Sequence, residues 1–385
     1  MDLESVKLSE IDAWDVVFGS TRAVFGVNGL DRLGDLARAM GATRVLIVTD
    51  PGIRGAGHVD RARRAVEGES MAATIFDDVA ENPTTLHVER GARIAAEHGA
   101  DCIVGLGGGS AMDCAKGINF LLTNGGRMED YQGYGKASKP LLPSIGVPAT
   151  AGTGSEAQSY ALISRESDHV KMACGAAGAR FGAVVLDPVV AASVGRDVAA
   201  VTGIDAVTHA IESFVSTKRN PLSQSFSREA WRLLHSNLPL ALSPQADHDV
   251  WGRMLIASYL AGAAIEHSML GAAHATANPL TARFAVIHGT AVGLMLPHAM
   301  RFNAEVVGDL YDELRQIVRA DGRPLWESFN DLRTLAGLPG TLRECGVPRD
   351  CLPDLAADAA AQWTAGFNPR PVTEKDLREL YEAAY

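Results

Sequence analysis

Cysteine is scarce in this chain, and its spacing argues against a disulfide framework. Only five cysteines occur among 385 residues, and no two of them form a CxxC pair. A small, odd set of this kind is typical of reduced thiols in a cytoplasm rather than of a cross-linked secreted protein. We therefore expect a cytoplasmic protein.

Long apolar runs and excess positive charge are also missing. No stretch approaches the roughly 18 consecutive apolar residues of a membrane span, and the acidic start Met1-Asp2-Leu3-Glu4 is unlike a signal peptide. The net charge of -11 at pH 7 argues against nucleic acid and anionic membranes as main partners. We expect a small-molecule substrate, and a homo-oligomer, a dimer, as the assembly.

The usual GxGxxG dinucleotide fingerprint is absent, but another glycine-rich turn is present. Gly107-Gly108-Gly109-Ser110 stands directly after a predicted strand and directly before a predicted helix. Glycines there let the backbone approach a pyrophosphate, whose charge is met by the helix N-terminus. Ser110 is the predicted N-cap, with Asp113 completing a pair like a capping box. The alternative is a plain glycine-rich turn between a strand and a helix.

Two further segments could line a dinucleotide. Asp50 follows the first clear predicted strand, where a carboxylate can accept hydrogen bonds from the hydroxyls of an adenine ribose. A second loop of small residues, which includes Thr150 and Thr153, follows another apolar run and could line the ribose and nicotinamide. The alternative for Asp50 is a turn residue, since Asp-Pro-Gly is itself a turn sequence.

Short apolar segments alternate with helical patterns through the first half of the chain. The strand-like segments are Val45–Thr49, Ala73–Phe76, Cys102–Leu106 and Ala183–Leu186. This alternation indicates βαβ units and a Rossmann-like parallel sheet. From about residue 190 the pattern changes to successive amphipathic helices. We predict an α/β dinucleotide-binding domain over residues 1–189 and an all-α metal-binding domain over residues 190–385.

One carboxylate and three imidazoles in the second half form a candidate metal site. Asp205 and His209 are four residues apart, so they share one face of a helix, while His274 and His288 need a turn of the chain to meet. One Asp and three His are an O/N set that holds Fe(II) or Zn(II). Buried groups of this kind are costly unless paired or coordinated. The alternative is a surface Asp–His hydrogen bond or a satisfied core histidine.

Taken together, these motifs resemble those of the iron-containing (group III) alcohol dehydrogenases over nearly the whole chain. The segments that carry the resemblance are Val48-Thr-Asp50, Glu81-Asn82-Pro83, Gly107 to Lys116, Pro148 to Gly154, Leu186-Asp-Pro188, Thr202 to Glu212, His288 to His298 and Gly366 to Arg370. As a set they are highly specific, although single segments are not.

The resemblance implies a metal-dependent, NAD(P)-linked alcohol dehydrogenase or aldehyde reductase that moves a hydride between nicotinamide and a small primary alcohol or aldehyde. NAD is expected over NADP, because Asp50 would face the extra 2′-phosphate. The resemblance puts Fe(II), or else Zn(II), at Asp205, His209, His274 and His288. It puts cofactor contacts at Asp50, Asn82, Gly107, Gly108, Gly109, Ser110, Asp113, Thr150, Thr153 and Lys171.

One position departs from the family pattern. The family usually has a second histidine four residues after His274, near the nicotinamide, where it could relay a proton. This chain has Asn278 there, and asparagine cannot titrate. His267 and Glu266, slightly upstream, could compensate, and a role in packing or on the helix surface is the alternative. Asn278 and His267 are therefore candidate catalytic residues whose part in proton transfer is open.

Two other enzymes of related architecture are alternatives. A metal-independent reductase of the maleylacetate type would not need Asp205 and the three histidines. A non-redox lyase like dehydroquinate synthase would carry a Glu and basic, phosphate-binding residues around its metal, and the sequence does not show them. Retention of the complete O/N set favours the metal-dependent dehydrogenase.

Overall fold

The chain combines an α/β half with a helical half in a computed structural model that describes residues 14–319 and 322–385. Ten strands occur among these residues, all before residue 187. In chain order they are β1 (Trp14–Phe18), β2 (Thr21–Phe25), β3 (Arg44–Val48), β4 (Ala72–Phe76), β5 (Cys102–Gly107), β6 (Gly133–Tyr134), β7 (Ser144–Pro148), β8 (Tyr160–Ser164), β9 (Lys171–Gly175) and β10 (Ala183–Leu186).

Helices lie between these strands and make up most of the chain after them. In chain order the α-helices are α1 (Leu33–Ala39), α2 (Pro51–Gly55), α3 (His58–Gly68), α4 (Thr85–His98), α5 (Gly109–Asn124), α6 (Pro188–Ala191), α7 (Arg196–Val215), α8 (Pro221–Ala241), α9 (His248–Glu266), α10 (Ala272–Phe284), α11 (His288–Ile317), α12 (Leu325–Leu335), α13 (Leu352–Ala360) and α14 (Glu374–Ala384). Short 3₁₀ helices connect several of them.

Seven strands form the main sheet, in the order β1-β2-β10-β7-β5-β3-β4. All neighbours are parallel except β1 and β2, which are antiparallel. The predicted parallel sheet followed by helices is confirmed. The sequence analysis missed the β1–β2 hairpin, because Asp15, Val16 and Val17 of the edge strand β1 are all exposed and so produce no clear alternation of buried and exposed residues. It also missed a small second sheet, β6-β9-β8.

The central strands are apolar along their whole length because the sheet is covered on both faces. Val45 and Ile47 of β3 lie in one buried cluster with residues of α1 and α3. Leu46 and Val48 point to the other face, into a second cluster with residues of α4 and α5. Burial on both faces removes the apolar–polar alternation of a half-exposed strand, and this explains the continuous runs in the sequence.

The direction of chain progression reverses between β3 and β5. The chain passes from β3 to β4 on one side, and from β5 through β7 to β10 on the other. Open α/β sheets bind ligands outside the carboxyl ends of the strands at such a switch point. Because β3 ends just before Asp50 and β5 ends at Gly107, the structure brings both predicted nucleotide segments to this edge.

The described chain divides into two compact units. The first contains residues up to 150, 155–194 and 247–255, and the second contains 151–154, 195–246 and 256–385. The first unit therefore holds the main sheet, and the second holds α7, α8 and α10 to α14. The predicted domain boundary between residues 189 and 190 stays a prediction.

One helix of the second unit, α7, is apolar and long enough to cross a membrane by length and composition alone. Of the 18 most apolar consecutive residues of this helix, 83% are buried inside the fold. Buried core helices pass the same test, so α7 is weak evidence for a membrane span.

Candidate metal and nucleotide sites

Helix α7 carries the first two predicted metal ligands. It begins after Gly195 with Asp197 in its first turn, where a negative charge is favourable to the helix dipole. From Gly203 to Val215 every side of the helix is buried. Asp205 and His209 are therefore enclosed, and their spacing brings His209 Nε2 to 3.3 Å from Asp205 Oδ1. This pairing is the one that the i, i+4 spacing predicted.

Helices α10 and α11 carry His274 and His288. The predicted turn between them consists of residues 285–287, and Ala285 takes the left-handed conformation there with φ of 52°. Helix α11 then approaches α7 very closely, since a Cβ on Gly289 would lie 2.0 Å from the Val201 carbonyl oxygen. Only glycine allows this approach, which sets His288 beside α7.

The four predicted ligands come together in the second unit. Nε2 of His274 lies 3.6 Å from Asp205 Oδ1, and Nε2 of His288 lies 3.8 Å from the same oxygen. The His209 and His274 rings stack with centroids 4.9 Å apart. Asp205, His209 and His274 each offer a ligand atom within 4.8 Å of the others. The side chain of His288 is 24% exposed, against 6% or less for the other three, so solvent reaches the cluster at His288.

Charge in this cluster is set by burial and by the neighbours of each group. Burial alone would raise the pKa of Asp205, but the surrounding imidazoles lower that pKa well below its usual range. Burial lowers the pKa of His209. Burial also acts to lower the pKa of His274, but the nearby Asp205 carboxylate and the hydrogen bond and charge of Glu212 outweigh it and raise that pKa to about 9. The cluster therefore attracts positive charge, whether from a proton or a metal cation.

The buried donor atoms fit a cation. Among residues 14–319 and 322–385, neither Asp205 Oδ1 nor His274 Nε2 has a hydrogen-bond partner, although both atoms are buried. A buried polar atom without a partner costs free energy, and a cation at this point would satisfy both. A surface Asp–His pair, the alternative interpretation, does not agree with this burial. The role of the four residues as ligands stays a prediction.

In two of the imidazoles, the Nδ1 atom forms a hydrogen bond with another group of the second unit. Nδ1 of His209 donates to the Gly152 carbonyl at 3.3 Å, and Nδ1 of His274 donates to Glu212 Oε2 at 2.6 Å. Both rings therefore keep Nε2 for the cluster. The sequence analysis gave Glu212 no role. The signal was available, since positions 205, 209 and 212 follow the i, i+4, i+7 spacing of one helix face.

The two candidate proton-handling residues lie in different surroundings. Asn278 is on α10, and its side-chain amide donates to Gln362 Oε1 at 3.0 Å. His267 is exposed in the turn after α9, with its ring 6.1 Å from the Phe226 ring. The structure therefore does not bring His267 into the buried cluster. A role for either residue in proton transfer stays a prediction.

At the switch point of the sheet, Asp50 and Gly107 are neighbours. Gly107 has a φ of 152°, and a Cβ there would lie 2.9 Å from Asp50 Oδ2 and 2.8 Å from Ala111 Cβ. The glycine is therefore required by the backbone and by close packing. Asp50 itself is the N-cap of α2, since its Oδ1 accepts from the amides of Gly52 and Ile53. Asp50 could cap α2 and contact a ribose at the same time, because the cap uses only Oδ1 and leaves Oδ2 for a ribose hydroxyl.

The predicted capping role of Ser110 is wrong. Helix α5 begins at Gly109 with Gly108 as its N-cap, so Ser110 lies inside the first turn. The turn from the strand is completed by Gly107 and Gly108, and the helix therefore starts two residues earlier than a cap at Ser110 would give. The Ser110 hydroxyl instead accepts from the amide of Asn82 at 3.2 Å. This bond links two of the predicted cofactor residues.

The other half of the predicted capping box, Asp113, belongs to a buried polar cluster in the first unit. Its Oδ1 accepts from the Ser155 hydroxyl at 2.5 Å and lies 3.7 Å from Lys116 Nζ. Lys116 also donates to the Ser155 and Tyr160 carbonyls, both at 2.8 Å. Burial raises the pKa of Asp113, while Lys116 acts in the opposite direction. Contacts of Asp113 with a cofactor stay a prediction.

The remaining predicted cofactor residues are distributed over both units. Thr150 lies beside Gly108, since a Cβ on that glycine would be 3.6 Å from Thr150 Oγ1. Lys171 begins β9 and lies close enough to Asp113 to act on its charge. Thr153 belongs to the segment 151–154 of the second unit. Asn82, Ser110, Gly107, Gly108 and Thr150 are thus grouped at the switch-point edge.

A buried carboxyl group next to this cluster was missed by the sequence analysis. Glu156 is fully buried, and neither carboxyl oxygen hydrogen-bonds to another residue in the described part of the chain. Burial raises its pKa to about 7 and the charge of Asp113 adds to this rise, although its own backbone N–H and Lys116 oppose it. A single glutamate in a loop of small residues has no sequence pattern that would reveal such burial.

Two family models match this chain. One, described as iron-containing alcohol dehydrogenase, matches residues 20–188, and the other, described as the C-terminal part of the Fe-containing alcohol dehydrogenase family, matches residues 199–385. The chain belongs to the iron-containing alcohol dehydrogenase family. The family that the sequence motifs predicted is therefore confirmed.

Several curated relatives match this family member over almost its whole length. The 1,3-propanediol dehydrogenase of Citrobacter freundii is 30% identical, over 94% of this chain and 96% of its own. The lactaldehyde reductase of Escherichia coli K12 is also 30% identical, over 94% of this chain and 97% of its own. The NAD-dependent methanol dehydrogenase of Bacillus methanolicus is 27% identical, with the same coverage.

Solved structures share the fold of this family member. The crystal structure of a 1,3-propanediol oxidoreductase has a TM-score of 0.92 and 28% identity, covering 97% of this chain and 99% of its own. An alcohol dehydrogenase from Oenococcus oeni has a TM-score of 0.91 and 27% identity, covering 97% of this chain and 100% of its own. The arrangement of a parallel sheet followed by helices is thus the fold of known members of the family.

Proposed function

We propose that the chain is a metal-dependent, NAD-linked alcohol dehydrogenase that also reduces aldehydes, with a small primary alcohol or aldehyde as its substrate. The observation that carries this proposal is the buried convergence of Asp205, His209 and His274, with two donor atoms that lack hydrogen bonds. The relatives support the substrate class, since they are named for 1,3-propanediol, lactaldehyde and methanol.

Fe(II) is the proposed metal, with Zn(II) next. One carboxylate oxygen and three imidazole nitrogens suit both ions, and the name of the family favours iron. Such an ion, when bound, supplies Lewis acidity that polarises the hydroxyl or carbonyl group of a substrate. The residues that would hold it are Asp205, His209, His274 and His288.

The chain's own residues orient this donor set and set its charge. The Gly152 carbonyl and the Glu212 carboxylate hold the Nδ1 atoms of His209 and His274, so each ring presents Nε2. Asp205, with its lowered pKa, contributes a negative charge at neutral pH. The packed surroundings of α7 keep water from three of the donors, while the partly exposed His288 leaves one side open to a substrate.

NAD(H) is the proposed hydride carrier, and its nicotinamide accepts or donates the hydride when bound. The switch-point edge supports this, because it groups a glycine-rich helix start with the Asp50 carboxylate. Asp50 favours NAD over NADP, since it would face a 2′-phosphate. The proposed cofactor contacts are Asp50, Asn82, Gly107, Gly108, Gly109, Ser110, Asp113, Thr150, Thr153 and Lys171.

An assay of NADH consumption on a panel of small aldehydes tests this function. The purified protein should oxidise NADH with at least one short aldehyde, lose this activity after removal of metal by a chelator, and regain it on addition of Fe(II) or Zn(II). Activity that persists without metal would favour a reductase of the maleylacetate type. No redox activity with any aldehyde or alcohol, in the metal-loaded protein, would contradict the proposal.

A further inference from the structure

Helix α10, which carries His274, starts against two buried side chains of the second unit. The amide of Ala273 donates to Glu212 Oε1 at 2.7 Å, and the amide of Ala272 donates to Asn368 Oδ1 at 3.1 Å. The first N–H groups of a helix have no partners within the helix. Glu212 and Asn368 supply these partners, so they fix where α10 begins.

Glu212 also contacts the side chain of the predicted ligand. Its Oε2 accepts from His274 Nδ1 at 2.6 Å and from the His274 amide at 3.4 Å. Whenever the imidazole is neutral, as a metal ligand must be, this bond keeps its proton on Nδ1 and its lone pair on Nε2, which lies 3.6 Å from Asp205 Oδ1. One carboxylate thus sets both the position of the backbone and the orientation of the ring.

Asn368 is itself held in place by its neighbours. It exchanges two hydrogen bonds with Asn303, at 3.0 and 2.7 Å, and donates to the Arg370 carbonyl at 2.6 Å. It lies in Gly366 to Arg370, a segment that the sequence motifs singled out without a role. A rigid amide at this point can accept from Ala272 with little loss of side-chain entropy.

The residue before α10 has no room for a side chain. A Cβ on Gly271 would lie 2.9 Å from Asn368 Oδ1 and 3.1 Å from Glu212 Oε1. Asn368 Oδ1 and Glu212 Oε1 therefore both lie in close contact with the backbone at the start of α10. The positions of Glu212 and Asn368 thus leave space only for a glycine at residue 271.

We propose that Glu212 and Asn368 are positioning residues of the metal site, which hold the start of α10 and the ring of His274 so that Nε2 is ready to coordinate. This inference rests on the proposed metal-dependent function. Residues that hold a metal-binding histidine by its second nitrogen typically change metal affinity about 10- to 100-fold when they are replaced. Glu212 contacts the ring directly, and Asn368 acts only through the helix, so Glu212 should have the larger effect.

Titration of the chelator-treated full chain with Co(II) tests the inference without relying on activity. The dissociation constant and the visible ligand-field spectrum are measured for wild type, Glu212→Gln and Asn368→Ala. Thr276→Val is the matched control, because it removes a buried hydroxyl that donates to the Ala272 carbonyl of the same helix. We expect Glu212→Gln to raise the dissociation constant about 10- to 100-fold and to change the spectrum. Asn368→Ala should raise the constant less, and Thr276→Val should change neither quantity.

Each outcome decides a different claim. If wild type binds Co(II) and Glu212→Gln binds it equally well with the same spectrum, the positioning role is wrong and the metal site remains. If Thr276→Val weakens binding as much as Glu212→Gln, general loosening of α10 explains the effect and the inference is overturned. If wild type binds no Co(II), both the inference and the proposed function fail. Should Glu212→Gln not fold, an unchanged dissociation constant in Asn368→Ala overturns the inference.

Discussion

Glu156 should make the stability of this protein depend on pH in the direction opposite to that of most carboxyl groups. Burial raises its pKa from 4.5 to about 7. The folded state therefore binds a proton more tightly than the unfolded state does. Stability from this group is complete below about pH 4.5, falls as pH rises, and is lost above about pH 7. The shift corresponds to about 3 kcal/mol, at roughly 1.4 kcal/mol for each pKa unit.

Replacement of Glu156 by Gln keeps the shape of the side chain and removes the ionisation. The midpoint of thermal unfolding is measured between pH 5 and pH 8 for wild type, for Glu156→Gln, and for Glu97→Gln as an exposed control on α4. From pH 5 to pH 8, the free energy of unfolding of Glu156→Gln should rise relative to that of wild type by up to about 3 kcal/mol. Each 1 kcal/mol is worth about 2–4 °C for a unit of this size. The control should follow wild type.

If the unfolding midpoints of wild type and Glu156→Gln differ by the same amount at every pH, this reasoning is refuted. It would mean that Glu156 is ionised in the folded protein throughout the range, so that the positive charge of Lys116 compensates for burial. The pH-independent cost of the new buried amide does not affect the test, because only the change of the difference with pH is used.

Three further predictions concern the cofactor, proton transfer and packing. Asp50→Asn keeps the cap acceptor but removes the charge, so discrimination against NADPH in kcat/KM should relax; a wild type that prefers NADPH would contradict the role of Asp50. Asn278→His should keep the metal and add an ionisation near pH 6.5 to the profile of turnover against pH, whereas an unchanged profile would limit Asn278 to shaping the pocket. Gly289→Ala should lower the free energy of unfolding, measured by thermal unfolding, by about 1–3 kcal/mol, because the new methyl group meets the Val201 carbonyl. Gly308→Ala, with open space in the part of α11 that follows the kink at Val307, is its control and should be neutral or stabilising.

Periodic spacing made much of the fold and of the candidate metal site predictable. Val45, Ile47 and their neighbours form a continuous apolar run because both faces of β3 are buried, and such runs indicate a parallel sheet. Asp205 and His209 were paired correctly because four residues make about one helix turn. His288 could be grouped with Asp205 and His209 only because one carboxylate and three imidazoles suit a metal ion. Its position could not be predicted, since it depends on the close approach of Gly289 to α7.

Features that depend on tertiary contacts were not predictable from local patterns. The start of α5 is set by the backbone of Gly107 and Gly108, and the local preference of Ser110 for a cap was overridden. Glu212 lies at a helix-periodic position, but its contact with His274 requires knowledge of where α10 begins. The burial of Glu156 follows from packing around a loop, for which no periodicity exists.

The central claim is that Asp205, His209, His274 and His288 hold one divalent metal ion. Anomalous diffraction from crystals of the purified protein, recorded on either side of the iron and zinc absorption edges, tests this most directly. We predict one peak for each copy of the chain, at about 2.0–2.2 Å from a carboxylate oxygen of Asp205 and from Nε2 of the histidines, with an edge that identifies iron or else zinc. A peak bound by other residues, or no peak in crystals of active protein, would contradict the claim.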